Sequence, residues 1–455
     1  MKRRLTLAGL AAAIAFASCA RQAKHPPKAP TPVATRPAGT GRPSAPPASA
    51  SAPRAASAPL PTQVAGKPVR IALAAHADVI LVGATGDWKL YDQDGANEVA
   101  SGDARKQVRY APFGAAKLMW ASAADGMSSP VGGALAAGDG PYVLRATNPS
   151  DLVVYAGKRY RGELVLVPNA TDGAVVNRVG VEEYLRGVVP IEIGDLPPAD
   201  DAATQAQAVA ARSYAYTHLA PARTYDMVAT VTDQAYGGVG AERASGDRAV
   251  QATAGMVLTY GGRVISAPYH STCGGQTAAA SEVWQGASDE PYLRPVSDRV
   301  SGSDRFYCDG SPRFTWTRTI DPASLDAAVA RYLRDYAPVP DGGPGIVRSV
   351  RTDGATATGR TAAVIIGTSR GSYALRGNAM RYVLRTSGGE ILNSTYFTVD
   401  PQSLRGGAPL TLRGRGYGHG IGMCQWGAIG RARAGQDVST ILSTYYPGTR
   451  VERVD

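Results

Sequence analysis

The chain has 455 residues, 44% of them hydrophobic, enough to bury one large core or two ordinary ones. Its formal charge of +11 points toward nucleic acid only until it is located. Residues 1–65 hold nine of the 48 lysines and arginines and no acidic residue, leaving 39 basic against 37 acidic residues in the rest. A near-neutral folded part argues against nucleic acid as a partner.

The N-terminus reads as an export signal over residues 1–19: Lys2-Arg3-Arg4, an apolar run from Leu5 to Phe16, then Ala17 and Ser18 before Cys19. The run is too short to span a bilayer as a permanent helix. Cys19 behind two small residues resembles a bacterial lipobox, in which the cysteine is lipidated and becomes the mature N-terminus. Phe16 stands where Leu is usual, so ordinary signal cleavage is the alternative. The expectation is a periplasmic lipoprotein, held to the membrane by its lipid alone. From Ala20 to Gly66 the chain is Pro, Ala, Ser and Thr with scattered basic residues, including eleven prolines between Pro26 and Pro61. Such a stretch lacks the apolar surface to offset its conformational entropy and reads as a disordered tether. Export also places Cys273, Cys308 and Cys424 in an oxidising compartment, where one pair is expected to be a disulfide. Cys273–Cys308 is the favoured pair, although the sequence does not choose among the three.

Residues 67–150 form a β-rich portion. Short runs such as VRIALA, ADVILVGA and YVLRA, and further on DLVVYA and ELVLVP, are separated by Gly, Asp and Asn turns. Asp200-Asp201 then opens an Ala-rich stretch, ATQAQAVAARSYAYTHL, which predicts a helix capped by the aspartates. Two shorter helices are expected around Pro322–Tyr336 and Val438–Tyr445, among strand-like runs such as MVLTY, RTAAVIIG and PLTLRG. The predicted class is α+β, mostly antiparallel, with no alternating βαβ rhythm.

VEEYLRGVVPIEIG, Val181 to Gly194, places Glu192 between two isoleucines just ahead of the Ala-rich helix. An apolar wall disfavours a charged carboxyl, so Glu192 is a candidate general acid. A plain alternation, with Ile191 and Ile193 inward and Glu192 in water, is the competing reading.

That segment, followed by AQAVAARSYA (Ala206–Ala215), DQAYGG (Asp233–Gly238), PYHSTCGGQTAAASEVW (Pro268–Trp284), PYLRPV (Pro291–Val296) and GRGYGHGIGMCQWGA (Gly414–Ala428), resembles the stage II sporulation protein D / amidase-enhancer family over residues 150–450. The resemblance implies a peptidoglycan lytic transglycosylase that cleaves between N-acetylmuramic acid and N-acetylglucosamine, with stem-peptide-free strands preferred. It places the catalytic acid/base on Glu192. The family usually continues with Met-Pro, where this chain has Ile193-Gly194. One carboxylate suffices for this chemistry, because it first protonates the glycosidic oxygen and then takes the proton of the muramyl C6 hydroxyl. Water-using glycosidases usually need two. The alternative on the same fold is a non-catalytic, glycan-binding enhancer of a cell-wall amidase, which would then be the partner.

Gln234, Tyr236, His270, Ser271, Tyr292 and His419 are candidates for sugar binding. His270 and Ser271 are neighbours on a strand-like run and face opposite ways, which argues against a nucleophile–base pair. No two of the five histidines stand at ligand spacing, so neither a metal nor any other cofactor is expected. GTSRG, Gly367 to Gly371, matches G-x-S-x-G, with Asp400 and His419 downstream, and a serine esterase acting through Ser369 is a third hypothesis. No helix pattern follows Ser369, so a hairpin turn is the better account. The glycine ladder Gly414–Gly422 contains neither GK[ST] nor G-x-G-x-x-G. Read as a strand, it puts the glycines on one face and Arg415, Tyr417, His419, Ile421 and Met423 on the other, a cleft wall with His419 toward Glu192.

Overall fold

The computed structural model describes residues 64–454 apart from 93–94, 96, 114–117, 123–129 and 137–139. The export signal, Cys19 and nearly all of the tether lie outside the described residues.

The β-type runs assemble into two large sheets. One orders Met227–Val228, Pro68–Ala77, Gly173–Gly180, Glu163–Pro168, Tyr142–Ala146, Trp88–Tyr91 and Glu98–Gly102. The other orders Lys158–Tyr160, Val153–Tyr155, Ile80–Ala84, Lys106–Tyr110, Leu118–Ser122 and Pro130–Ala136. Apart from the short Pro68–Ala77/Met227–Val228 pair, the ladders are antiparallel. Gly173–Gly180 is buried at every position, as a strand covered on both faces must be. It leads directly into helix Val181–Arg186, and a second short helix, Val189–Ile193, carries Glu192.

The Ala-rich stretch forms helix Asp201–Thr217. Ala203, Ala206, Ala208, Ala210, Ala211 and Ala215 are fully buried. Side chains this small let helices Val189–Ile193, Ala244–Ala252, Gln425–Arg433 and Val438–Tyr445, and strand Met256–Tyr260, all pack against it. Asp200 occupies the cap position but its carboxylate does not cap. It pairs with Arg433 at 2.7 Å, while Asp201 pairs with Arg248 at 2.8 Å.

A second core lies between Ile320 and Leu412. Helix Pro322–Tyr332, with Asp321 accepting from Ser324 N–H at 2.9 Å, packs on sheet Val347–Ala355/Thr361–Thr368/Gly371–Arg376 and on Thr315–Ile320/Leu410–Arg415/Phe397–Val399. Ser369 sits in the turn of the antiparallel hairpin joining Thr361–Thr368 to Gly371–Arg376, where its Oγ accepts from Ile346 N–H at 3.0 Å. A strand, Gly371–Arg376, comes directly after it where an elbow needs a helix, and Asp400 pairs with Arg413. GTSRG is a hairpin turn, not a nucleophile elbow. Taken together the fold is α+β and predominantly antiparallel.

The glycine ladder corrects a strand reading. Regular pairing ends at Arg415, and Gly416, Gly418, Gly420 and Gly422 all have positive φ (80°, 110°, 89° and 69°). The alternating glycines serve a backbone that crosses into the left-handed region at every second residue. Space demands them too: a Cβ on Gly422 would lie 2.0 Å from Pro268 O, and one on Gly418 2.8 Å from His270 Cβ. The ladder therefore threads against the Pro268–Cys273 segment, and the two-faced alternation does not apply.

Candidate active site around Glu192

Glu192 is partly exposed, in the short helix Val189–Ile193. Its Oε1 accepts the Ala235 N–H at 2.9 Å, and the Gln425 amide, whose Nε2 donates to Gln207 Oε1 at 3.3 Å, lies near enough to act on the carboxyl as well. The rings of Tyr184, Tyr214 and Tyr269 lie close enough to feel its charge. Burial raises its pKa to about 7 against the opposing pull of those two donors, and no cation is among the groups acting on it. Alternation fails here as well, because the segment is helical: Ile193 is 8% exposed while Ile191 is 42% exposed. Gly194 ends the helix at φ 96°, in the region that favours glycine and is closed to proline.

The other candidates divide by what they touch. Gln234 is fully buried, accepting from Tyr184 Oη at 3.1 Å and donating to Tyr269 Oη at 2.9 Å and to Ala211 O at 3.3 Å. It orients two of the three tyrosines around Glu192 and does not itself line open space. Tyr236 packs on Tyr184 and Tyr160, with ring centroids 4.9 and 5.8 Å away, and donates to Asn177 Oδ1 at 2.9 Å, a core role. Tyr292 packs on Tyr260, 5.5 Å away. Ser271 uses its carbonyl to accept from Trp426 N–H at 3.0 Å.

Both histidines are tied to backbone. His270, pushed down to about 3 by burial and by Arg360, has Nδ1 3.1 Å from Ile421 O. His419 Nε2 donates to Tyr269 O at 2.8 Å, and its Nδ1 accepts from Ile421 N–H at 3.1 Å, which fixes the neutral tautomer. With both nitrogens engaged, His419 positions Tyr269 instead of presenting a donor toward sugar. It shares the neighbourhood of Glu192 through Tyr269, and Trp284, 36% exposed, lies 5.3 Å from its ring.

Gln425, Tyr184, Tyr214 and Tyr269 escaped the sequence reading. Each lies inside a quoted motif, so that signal was present, but an amide after Cys424 or a tyrosine before His270 looks like any core residue. An open groove of about 520 Å³ lies elsewhere, lined by Trp316, Arg413 and Arg415, and does not include Glu192.

The cysteines differ from expectation. Cys273, Cys308 and Cys424 are all free and buried. Cys273 and Cys308 have sulfurs 3.5 Å apart, well beyond a disulfide bond length of about 2.05 Å, and Cys424 joins the same cluster.

Comparison with known proteins places the chain. The family described as "Stage II sporulation protein" matches residues 169–260, and a domain of unknown function matches 301–422, the stretch that contains the second core. An uncharacterized protein of Brachyspira hyodysenteriae is 30% identical over 65% of this chain and 73% of its own length. An amidase enhancer of Bacillus subtilis is 33% identical over 58% of this chain, and stage II sporulation protein D of the same organism is 29% identical over 46%. The chain spans only 40% and 51%, respectively, of those two proteins. With the sporulation-protein match lying across the segment that carries Glu192 and Gln234, the chain belongs to the stage II sporulation protein D / amidase-enhancer family.

Proposed function

We propose that the protein acts on the bacterial cell wall as a peptidoglycan lytic transglycosylase, with Glu192 as its single acid/base. The observation that carries this reading is the setting of Glu192: a partly exposed carboxyl that accepts the Ala235 N–H, has only neutral groups acting on it and is pushed up to about 7 by burial. Protonated, it delivers its proton to the glycosidic oxygen between N-acetylmuramic acid and N-acetylglucosamine. The carboxylate then accepts the C6 hydroxyl proton as that oxygen attacks C1, which leaves a 1,6-anhydro end and returns Glu192 to its starting state. The Ala235 N–H and the Gln425 amide stabilise the carboxylate between the two transfers. Gln234 and His419 act as positioning residues through Tyr184 and Tyr269.

Export, attachment of Cys19 to lipid and a periplasmic location belong to the same proposal. Among the described residues no helix is long and apolar enough to cross a membrane. A non-catalytic role, stimulating a wall amidase, draws on the name of the Bacillus subtilis relative. Incubation with stem-peptide-free glycan strands separates the readings. Anhydromuramyl products that disappear in Glu192→Gln support catalysis. Glycan binding without products, together with stimulation of an added amidase, supports the enhancer.

A further inference from the structure

We propose that Cys273, Cys308, Cys424 and Asp298 hold one zinc ion in a closed, structural S3O site. The inference is independent of the catalytic reading. All four residues are completely buried, and one ligand atom from each lies within 4.8 Å of the others. Tetrahedral zinc with Zn–S near 2.3 Å sets sulfurs about 3.8 Å apart. Cys273 Sγ stands 3.5 Å from Cys308 Sγ and 3.8 Å from Asp298 Oδ2. Three thiolates and a carboxylate match what zinc selects, whereas magnesium and calcium favour oxygen alone.

The surroundings orient the ligands as an outer shell does. Asp298 Oδ1 is occupied by Tyr445 Oη at 2.7 Å and Arg431 Nη2 at 3.2 Å, which turns Oδ2 toward the sulfurs. Cys424 Sγ receives the N–H of Cys273 at 3.2 Å and of Gly427 at 3.3 Å. A Cys273–Cys308 disulfide would instead leave Cys424 and Asp298 facing each other in the interior. The ligands span 151 positions, so no spacing motif betrays them, and the expectation of no metal rested on histidine spacing and on Cys308 lying far from the His270/Cys273 pair in sequence. The ion would bind the Pro268–Cys273 segment, the loop from Ser297 to Ser311 and the end of the glycine ladder into one body, directly beside Gln425.

The test is metal analysis of the full chain, purified without reductant or chelator, with non-reducing peptide mapping of the three cysteines. We expect about one zinc per chain, all three thiols unpaired, and the absorption of thiolate-bound tetrahedral cobalt(II) after exchange. Asp298→Asn should weaken zinc at least about 10-fold, and Cys424→Ser more. If Cys424→Ser fails to fold, Asp298→Asn and cobalt exchange into the unaltered protein still decide. A recovered Cys273–Cys308 disulfide, or a reduced, metal-free chain that takes up neither zinc nor cobalt, overturns the site.

Discussion

Glu192 and Asp298 are both carboxyls that burial pushes upward, to about 7 and about 8, but they are surrounded by different kinds of neighbour. Glu192 meets an amide N–H, a glutamine and three tyrosines, all neutral, and keeps a path to solvent. Asp298 has no solvent, a guanidinium at 3.2 Å and three sulfurs. A carboxyl among neutral donors can exchange a proton at little cost, because both charge states are tolerated. One pinned by Tyr445 and Arg431 beside thiols is fixed in orientation, with Oδ2 turned to the sulfurs, where a bound cation would displace its proton. The same upward push thus accompanies two functions, and the partner atoms tell them apart. Helix Gln425–Arg433 joins the two sites: Cys424 caps it with Sγ, and the next residue, Gln425, is among the groups that act on the Glu192 carboxyl.

The sharpest break between the sites is catalytic. Glu192→Gln should lower the yield of anhydro products at least about 1,000-fold while zinc content stays unchanged, measured on one preparation by product mass spectrometry and metal analysis. An active Glu192→Gln enzyme would remove the assignment. Next in size is Gly422→Ala, which forces a side chain into positive φ and against Pro268 O. A loss of about 3 kcal/mol in denaturant unfolding is expected, because no flexible atom is there to yield. It should also damage both sites at once, since the ladder leads from one to the other.

A third prediction tests Glu192 without substrate. Its folded pKa is raised above the ordinary 4.5, so the folded chain holds a proton that the unfolded chain has released. The group costs nothing below about pH 4.5, costs progressively more as pH rises to about 7, and imposes a constant penalty above that. Glu192→Gln should therefore be more stable than the parent by about 2 kcal/mol at pH 8, with the difference shrinking toward pH 4.5, read as Tm against pH. The catalytic limb has the same origin: kcat/KM should fall above about pH 7 as the acid form is lost.

How much of this was legible depended on whether local chemistry or long-range threading set the feature. The Ala-rich helix and the helices Pro322–Tyr332 and Val438–Tyr445 follow from residues a few positions apart, and sequence finds them, although the cap expected from Asp200 is not made. Glu192 was singled out by the family resemblance, because its two flanking isoleucines alone left a plain alternation open. The glycine ladder misled because strand alternation and alternating left-handed glycines give the same period of two. What separates them is the closeness of Pro268 and His270, some 150 residues away, which no local pattern carries. The roles of Gln234 and His419 were hidden for the same reason: their partners are Tyr184 and the Tyr269 backbone, so burial made them struts.

The smallest effect concerns the serine that imitates a catalytic motif. Ser369 Oγ supports the Ile346 N–H in an exposed hairpin, and Ser369→Ala removes that one hydrogen bond. A partly solvated amide regains a water partner, so the expected loss is at most about 1 kcal/mol. Glycan cleavage and zinc content should both match the parent. The second core supplies neither Glu192 nor any of the four sulfur and carboxylate ligands, and a Ser369→Ala enzyme with unchanged product yield would place the chemistry outside it. A drop in activity without a drop in Tm would return Ser369 to the list of reacting groups and break the division argued for the two carboxyls.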